Sequence, residues 1–300
     1  MEERVVLVYD VGTQSTRALL LTQRGEIPAM SQVKYDEPYV SPQPGQAEQE
    51  ADFYYECICK ASTELKERSP ELFGQIAAVS VTTIRDTVVC VDKEGKPLRP
   101  AILWLDKRMA SGEPKLSQLV RLTLKAVGAE QAVKTQFQKS HCNWIRQNEP
   151  EIWEKTDKYL LLSGYLVFKL CGRMADSAAS LVGHIPFDSR ERGWQKPGAL
   201  TYPVFPVEAK KLCEVVEPGE TFGKITARAA RDTGLPEGLS LIATGSDKAC
   251  EILGMGATTQ EKAAIGFGTT AMVTFTADRY VEPERFIPPY ASIIRGRFTP

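Results

Sequence analysis

Two apolar runs joined by a short turn constrain the fold of this chain more than any other segment. Residues 5–9 and 18–22 are rich in β-branched and other apolar side chains and predict two buried strands. Residues 10–17 then form a tight turn, in which Gly12 lets the backbone approach a ligand closely. Its N–H groups and hydroxyls suit phosphoryl oxygens, and Asp10 suits a hydrated Mg²⁺. An ordinary polar hairpin is the alternative interpretation.

The first third of the chain predicts a mixed α/β unit. A third strand is expected near residues 29–35, a helix over 50–68, and a strand buried on both faces over 76–82. Three antiparallel strands followed by a helix and a parallel strand differ from the repeated βαβ units of a dinucleotide-binding fold. Residues 107–170 are expected to be mostly helical, with one apolar face that contains Leu119 and Leu122.

Composition narrows the function classes. With 37 Lys and Arg against 38 Asp and Glu, the net charge of −1 gives no general attraction to nucleic acid or to anionic membranes. The N-terminus shows no signal-peptide pattern and no apolar run has the length of a membrane span. Seven scattered cysteines predict buried thiols in a reducing cytoplasm, and two histidines are too few for a typical histidine metal site.

A second turn rich in glycine and threonine repeats the chemistry of the first. Residues 266–270 separate two predicted strands near the end of the chain, and two such turns could hold one polyphosphate from both sides. Asp247 follows the predicted strand 241–244 and precedes a helix. A carboxylate there can accept the proton of a hydroxyl that attacks phosphorus. The alternative role of Asp247 is that of a helix N-cap.

Charged residues also follow two further predicted strands. Arg85 and Asp86 come after the buried strand 76–82, and Trp104 and Asp106 come after the next hairpin. Open α/β sheets tend to bind ligands at such strand ends, so these side chains could contact polyol hydroxyls while Trp104 packs on the carbon skeleton. The alternatives are surface salt bridges of little energy and a core tryptophan. No P-loop, H-E-x-x-H or paired C-x-x-C motif occurs.

Taken together, these segments resemble the FGGY family of carbohydrate kinases, which includes glycerol kinase, xylulokinase, ribulokinase and gluconokinase. The segments that carry the resemblance occur in the family's order along nearly the whole chain: D-V-G-T-Q-S-T-R at 10–17, P-G-Q-A-E-Q-E at 44–50, W-L-D-K-R at 104–108, T-G-L-P-E-G at 233–238, G-S-D-K-A at 245–249 and G-F-G-T-T at 266–270.

The resemblance implies an actin-like, ribonuclease-H-like α/β fold with a mixed five-stranded sheet flanked by helices and an ATP·Mg²⁺ site between two domains. It implies a metal site at Asp10 and a catalytic base at Asp247, which would also contact the substrate. The residues implied in binding the ATP phosphates are Thr13, Gln14, Ser15, Thr16, Arg17, Gly268 and Thr269, and those implied in binding the substrate are Arg85, Asp86, Trp104 and Asp106.

Two features depart from the family pattern. Members of the family are longer than this chain, so we expect an N-terminal sugar-binding domain at 1–244, an incomplete ATP-binding domain at 245–300, and little kinase activity from these 300 residues alone. It stays open whether the chain is a fragment or one part of a split protein. Gln136 and Phe137 stand where glycerol kinase has a tyrosine–phenylalanine pair, which argues against glycerol as the substrate.

The leading hypothesis is therefore ATP-dependent phosphorylation of a sugar or polyol by a cytoplasmic enzyme. No nucleic-acid or membrane partner is expected, and a homodimer is left open. A sugar-binding or regulatory protein on the same fold, without turnover, is the main alternative. An ATPase of the actin or chaperone kind is less favoured, because residues 85–86 and 104–108 suit a polyol pocket.

Overall fold

A computed structural model describes residues 4–199, 201–267, 271–283 and 287–300. The strands are β1 Val5–Val11, β2 Ser15–Leu21, β3 Ala29–Lys34, β4 Glu48–Gln49, β5 Ile76–Thr83, β6 Val88–Val91, β7 Ala101–Ile102, β8 Lys158–Leu161, β9 Ala175–Ser177, β10 Phe187–Asp188, β11 Gly193–Trp194, β12 Glu214–Val216, β13 Thr221–Lys224, β14 Ser240–Ile242, β15 Ala263–Phe267, β16 Ala271–Phe275, β17 Tyr290–Ala291 and β18 Phe298–Thr299. The α-helices are α1 Ala51–Arg68, α2 Pro70–Phe73, α3 Gln118–Ala126, α4 Glu130–Lys139, α5 His141–Asn148, α6 Pro150–Lys155, α7 Leu162–Cys171, α8 Ala227–Thr233 and α9 Asp247–Gly254, with short 3₁₀ helices at Tyr202–Val204 and Ala209–Lys211.

The main sheet is mixed and has the order β3-β2-β1-β5-β14-β13. β1, β2 and β3 are antiparallel neighbours, whereas β5 and β14 run parallel to β1. This arrangement confirms the predicted α/β class and the actin-like fold. The sheet has six strands rather than the expected five, because β13 adds to the free edge of β14 as an antiparallel strand.

Helices α1, α7 and α8 contact one another and bury the apolar residues of the main sheet. α1 packs on β2 and β3, and α7 packs on β5 and β13. The predicted helical spacing is realised in α1, where Tyr54, Ile58, Ala61 and Leu65 are fully buried. The hydroxyl of Tyr9 on β1 donates to the Ser62 hydroxyl at 2.9 Å, which satisfies a polar group inside this core.

A second core lies around the four-stranded sheet β4-β7-β6-β8. The predicted hairpin after β5 supplies β6 and β7 to this sheet, with α5 and α6 packed nearby. The middle of the chain is mostly helical, as expected, but α3 has no buried residue. Leu119 and Leu122 are 76% and 66% exposed, so the apolar face predicted there is not part of the core of the described residues.

Candidate active site

Three parallel strands end at the same edge of the main sheet and bring distant polar residues together. β1 carries Asp10 near its carboxyl end, β5 leads into Arg85, and β14 leads into Asp247. Asp10 pairs in register with Thr82, whose hydroxyl donates to the Gly245 carbonyl at 2.9 Å. Carboxyl edges of this kind are where open α/β sheets bind ligands.

The parallel pairing of β1, β5 and β14 places the two aspartates at this edge, and both act on the thiol of Cys250. Burial raises the pKa of Cys250, and the negative charges of Asp247 and Asp10 both raise it further. The two carboxylates, 237 positions apart in the sequence (247 − 10), therefore act on one partly buried thiol. The structure thus brings together two predicted site residues that lie far apart in the sequence.

The first turn is a tight connection between β1 and β2, as predicted, but it is shorter than the predicted 10–17 because β1 continues to Val11 and β2 begins at Ser15. The Gly12 N–H donates to the Ser15 carbonyl at 2.9 Å, and Arg17 pairs with the Asp10 carboxylate at 2.9 Å. Both charged side chains keep part of their surface exposed, at 42% for Arg17 and 30% for Asp10. The Asp10 carboxylate can therefore still accept a further polar ligand.

The polar residues of the first turn differ in their burial and in their hydrogen bonds. Thr16 is fully buried and its hydroxyl lies 2.5 Å from the Tyr35 hydroxyl, while the Ser15 hydroxyl accepts from the Gln32 amide at 3.0 Å. Gln14 is exposed at the tip of the turn. Ser15 and Thr16 thus hold the turn to β3, and the more open members lie at its tip.

Asp247 is the first residue of α9, and the N-cap position belongs to Ser246. Its carboxylate accepts from the Lys248 N–H at 2.7 Å and lies 3.7 Å from the Arg85 guanidinium nitrogen Nε. Burial raises the pKa of Asp247 above its ordinary value, and the Lys248 N–H and Arg85 only partly offset that effect. A carboxylate that is a stronger base than usual is suited to accept a proton.

Arg85 lies beside a cavity of about 210 Å³. Its guanidinium carbon is 5.5 Å from the centre of the Tyr290 ring, which lines the same cavity, as does Ser246 just before Asp247. Arg85 is thus in contact with both the Tyr290 ring and the Asp247 carboxylate. The cavity is lined by the Arg85 cation and by Ser246 and Lys248, the two neighbours of Asp247 in the sequence.

Asp86 is held by a residue that the sequence analysis did not select. The ring nitrogen Nδ1 of His184 lies 2.7 Å from one oxygen of the Asp86 carboxylate, and the His184 backbone N–H donates to the other at 3.1 Å. Burial alone would raise the pKa of Asp86, but the hydrogen bonds and charge of His184 bring it below its ordinary value. No sequence signal links the two residues, because 98 positions separate them.

Trp104 and Asp106 have different surroundings. The Trp104 indole N–H donates to the Thr13 hydroxyl at 3.0 Å and the ring is 39% exposed, so Trp104 links the hairpin after β5 to the first turn. The Asp106 side chain is fully enclosed and accepts two hydrogen bonds of 2.8 Å from the Arg108 guanidinium and one of 2.6 Å from the Ala47 N–H. These contacts assign Asp106 to holding the Trp104 loop in place.

The second turn lies only partly within the described residues. β15 and β16 pair as an antiparallel hairpin, which confirms the two predicted strands. Gly268 and Thr269, which were expected to bind phosphate, lie outside the described residues.

The described part of the chain contains no group of three or more histidine, cysteine or acidic side chains placed to hold a metal ion. All seven cysteines are free thiols; Cys57, Cys90, Cys142 and Cys213 are buried, as expected, whereas Cys59, Cys171 and Cys250 are only partly buried. Among the helices that the structure describes, none combines the length and the apolar character needed to cross a membrane.

Comparisons with known proteins find similarity to carbohydrate kinases. The chain is 25% identical over 269 residues to a xylulose kinase of Lactococcus lactis, covering 90% of this chain and 52% of that protein. It is 28% identical over 226 residues to a glycerol kinase of Thermococcus gammatolerans, covering 74% and 44%. The chain thus spans about half the length of the curated relatives it matches.

A solved structure of a gluconate kinase from Lactobacillus acidophilus superposes with a TM-score of 0.80 at 17% identity, covering 99% of this chain and 59% of that one. This likeness supports the fold independently of close sequence identity. Residues 5–254 match the model of the N-terminal domain of the FGGY family of carbohydrate kinases. That match extends over most of the chain, from β1 to the end of α9, and on this ground the chain belongs to the FGGY family.

Proposed function

We propose that this chain is the acceptor-binding half of an ATP-dependent carbohydrate kinase, which transfers a phosphoryl group to a hydroxyl of a sugar or polyol. The observation that carries the proposal is the Asp247 carboxylate beside Arg85, at the edge where β1, β5 and β14 end. Family membership supports the reaction class.

Asp247 is the proposed base. As the acceptor oxygen bonds to the γ-phosphorus of ATP, the bond from that phosphorus to ADP breaks and the hydroxyl proton passes to the Asp247 carboxylate. The raised pKa of Asp247 makes it a better proton acceptor than an ordinary aspartate. Arg85, close to the same carboxylate, keeps Asp247 ionised before the reaction. Activity should therefore fall on the acid side as Asp247 becomes protonated, at a higher pH than for an ordinary carboxyl group.

The nucleotide side of the site is proposed to consist of the two turns. Thr13, Gln14 and Arg17 of the first turn, together with Gly268 and Thr269, would bind the ATP phosphates, while the buried Ser15 and Thr16 would support the first turn from β3. Asp10 fits a Mg²⁺ that is held mainly by phosphate oxygens and water, because such an ion needs only one or two carboxylates and Asp10 is partly exposed. Bound Mg²⁺ would neutralise negative charge on the phosphates.

The acceptor side is proposed to involve Arg85 and Asp86, with Trp104 packed against the carbon skeleton. The guanidinium donates to hydroxyls and the carboxylate accepts from them, so together they can bracket adjacent hydroxyl groups. Asp106 contributes by fixing the loop that carries Trp104. We further propose a sugar-binding domain at 1–244, the start of an ATP-binding domain at 245–300, and a cytoplasmic location.

The test is an assay of ADP release by the full-length protein with ATP, Mg²⁺ and a panel of sugars and polyols that includes xylulose, gluconate and glycerol. Asp247→Asn should lower turnover by about 10²- to 10⁴-fold, because it removes the base. Glu251→Gln is the matched control. It removes one carboxylate from the same helix, where Glu251 is paired with Lys248 at 2.7 Å on the exposed side.

Two outcomes would contradict parts of the proposal. If no panel member stimulates ADP release while sugars still raise the melting temperature, the protein is a sugar-binding protein without turnover. If Asp247→Asn leaves turnover at the level of Glu251→Gln, Asp247 is not the base.

A further inference from the structure

Both histidines of the chain lie close to Asp86, although the sequence separates them from it by 55 and 98 positions (141 − 86 and 184 − 86). His141 is buried, and its ring nitrogen Nδ1 has no hydrogen-bond partner within the described residues. Burial lowers the pKa of His141, and the Asp86 and Asp106 carboxylates only partly offset that effect. The histidine that is bonded to Asp86 is His184, through both its ring and its backbone.

Two residues with positive φ, Gly183 and Asp86, form the backbone around the contact between Asp86 and His184. Gly183 has a φ of +131°, and a Cβ built on it would lie 2.2 Å from an oxygen of the Asp86 carboxylate. Only glycine leaves that space free. Asp86 itself has a φ of +50°, which is uncommon for a residue with a side chain. Asp86 thus adopts an uncommon backbone conformation, Gly183 adopts one that glycine alone reaches easily, and together they place the carboxylate against His184.

The His184 loop is also attached to the loop that carries the proposed base. Ala179 forms a bridge with Gly245, and the Ser246 N–H donates to the Ala179 carbonyl at 3.1 Å. The Ser140 hydroxyl donates to the His184 carbonyl at 2.9 Å, which fixes the other end of the segment. The segment 177–184 therefore connects Asp86 to the strand end just before Asp247.

We infer that His184 is a positioning residue that holds the Asp86 carboxylate in one orientation for a hydroxyl of the acceptor. This inference rests on the proposed function. His184 uses one acceptor position on each carboxylate oxygen, and a carboxylate has about four such positions. The positions that remain are then fixed in direction, so the acceptor does not lose affinity by having to order the carboxylate itself.

The test compares three variants by calorimetric titration of the chain with xylulose, glycerol and gluconate. His184→Leu removes the ring donor, and we expect the Kd of the preferred acceptor to rise on the order of tenfold to a hundredfold, as for loss of a hydrogen bond to a charged group. His184→Asn keeps a donor at the position of Nδ1 and should stay within about threefold of the unmodified chain. Gly183→Ala should weaken binding as His184→Leu does, because the added Cβ displaces the carboxylate.

A double-mutant cycle separates positioning from a merely structural role. If His184 acts through Asp86, His184→Leu should have almost no further effect on the Kd of the acceptor in an Asp86→Asn background, and the Kd of the full-length protein for ATP should stay unchanged in all variants. If His184→Leu does not fold, the same comparison is made with Gly183→Ala.

The failures are distinguishable. If the unmodified chain binds an acceptor but His184→Leu and Gly183→Ala bind it equally well, the inference is wrong while the proposed function stands. Additive effects in the double mutant would likewise overturn the inference. If the unmodified chain binds none of the three compounds and the full-length protein releases no ADP with them, the proposed function fails and the inference fails with it.

Discussion

A rise in pH from 5 to 8.5 should destabilise the folded chain through one buried carboxyl group, that of Asp176 on β9. Its side chain is only 1% exposed and receives hydrogen bonds from three neutral donors, the Ser163 hydroxyl at 2.6 Å and the N–H groups of Ser177 and Gly164. Burial dominates over these donors and raises the pKa of Asp176 from 3.8 to about 7.

The sign and size of the effect follow from proton linkage. A carboxyl group whose pKa is higher in the folded state binds a proton more tightly there, so its stabilisation is complete below the unfolded-state pKa. That stabilisation is lost as the pH rises through the folded-state pKa of about 7. Each pKa unit corresponds to about 1.36 kcal/mol, so the full effect is roughly 4 kcal/mol and the part lost between pH 5 and 8.5 is about 2.5 kcal/mol.

The measurement is the free energy of unfolding in urea at several pH values for the unmodified chain and for Asp176→Asn, which cannot ionise. Between pH 5 and 8.5, the unmodified chain should lose about 2.5 kcal/mol of unfolding free energy relative to Asp176→Asn. Asp36→Asn, at an exposed position, is the matched control and should show no such change. A constant difference between the unmodified chain and Asp176→Asn would refute the reasoning.

Two further predictions use matched pairs of sites, both measured as the free energy of unfolding in urea. Gly95→Ala should destabilise by at least about 2 kcal/mol more than Gly25→Ala, because both glycines have a φ near +80° but only the added Cβ at position 95 meets the Phe168 ring, at 2.2 Å. Equal losses would show that the ring moves aside. Leu65→Ala should cost about 2–5 kcal/mol because Leu65 is fully buried, whereas Leu119→Ala on the exposed face of α3 should stay within about 0.5 kcal/mol. A large loss at Leu119 would show that α3 is covered in solution.

The sequence was sufficient to predict the strands and helices that have strong local hydrophobic patterns. β5 and α1 were predicted with bounds within one residue of those observed, whereas β1 extends two residues further than predicted and β2 begins three residues earlier. These segments are readable because each buries one face or both faces, so burial imposes a period on the side chains. β13 was missed because it is short and lies at the edge of the sheet.

For the candidate site, the sequence identified residue types at strand ends but not which of them touch. Asp10 and Asp247 were selected from their turns, and the parallel pairing of β1, β5 and β14 explains why they share an edge. The burial of Asp106 was not predictable from the sequence. It depends on contacts with the Arg108 guanidinium and with the Ala47 N–H, and Ala47 reaches Asp106 only when two loops pack together in the folded chain.

What the sequence determined by itself is the set of local signals: the strands, the turns, the helices and the ordered motifs that indicate the family. What only the tertiary structure decided is the contact between Asp86 and His184, together with the absent Cβ at Gly183 that permits it. The physical reason is that local patterns depend on burial along one element, whereas this contact depends on how two loops meet after the sheet has formed. Such a meeting leaves no period in the sequence.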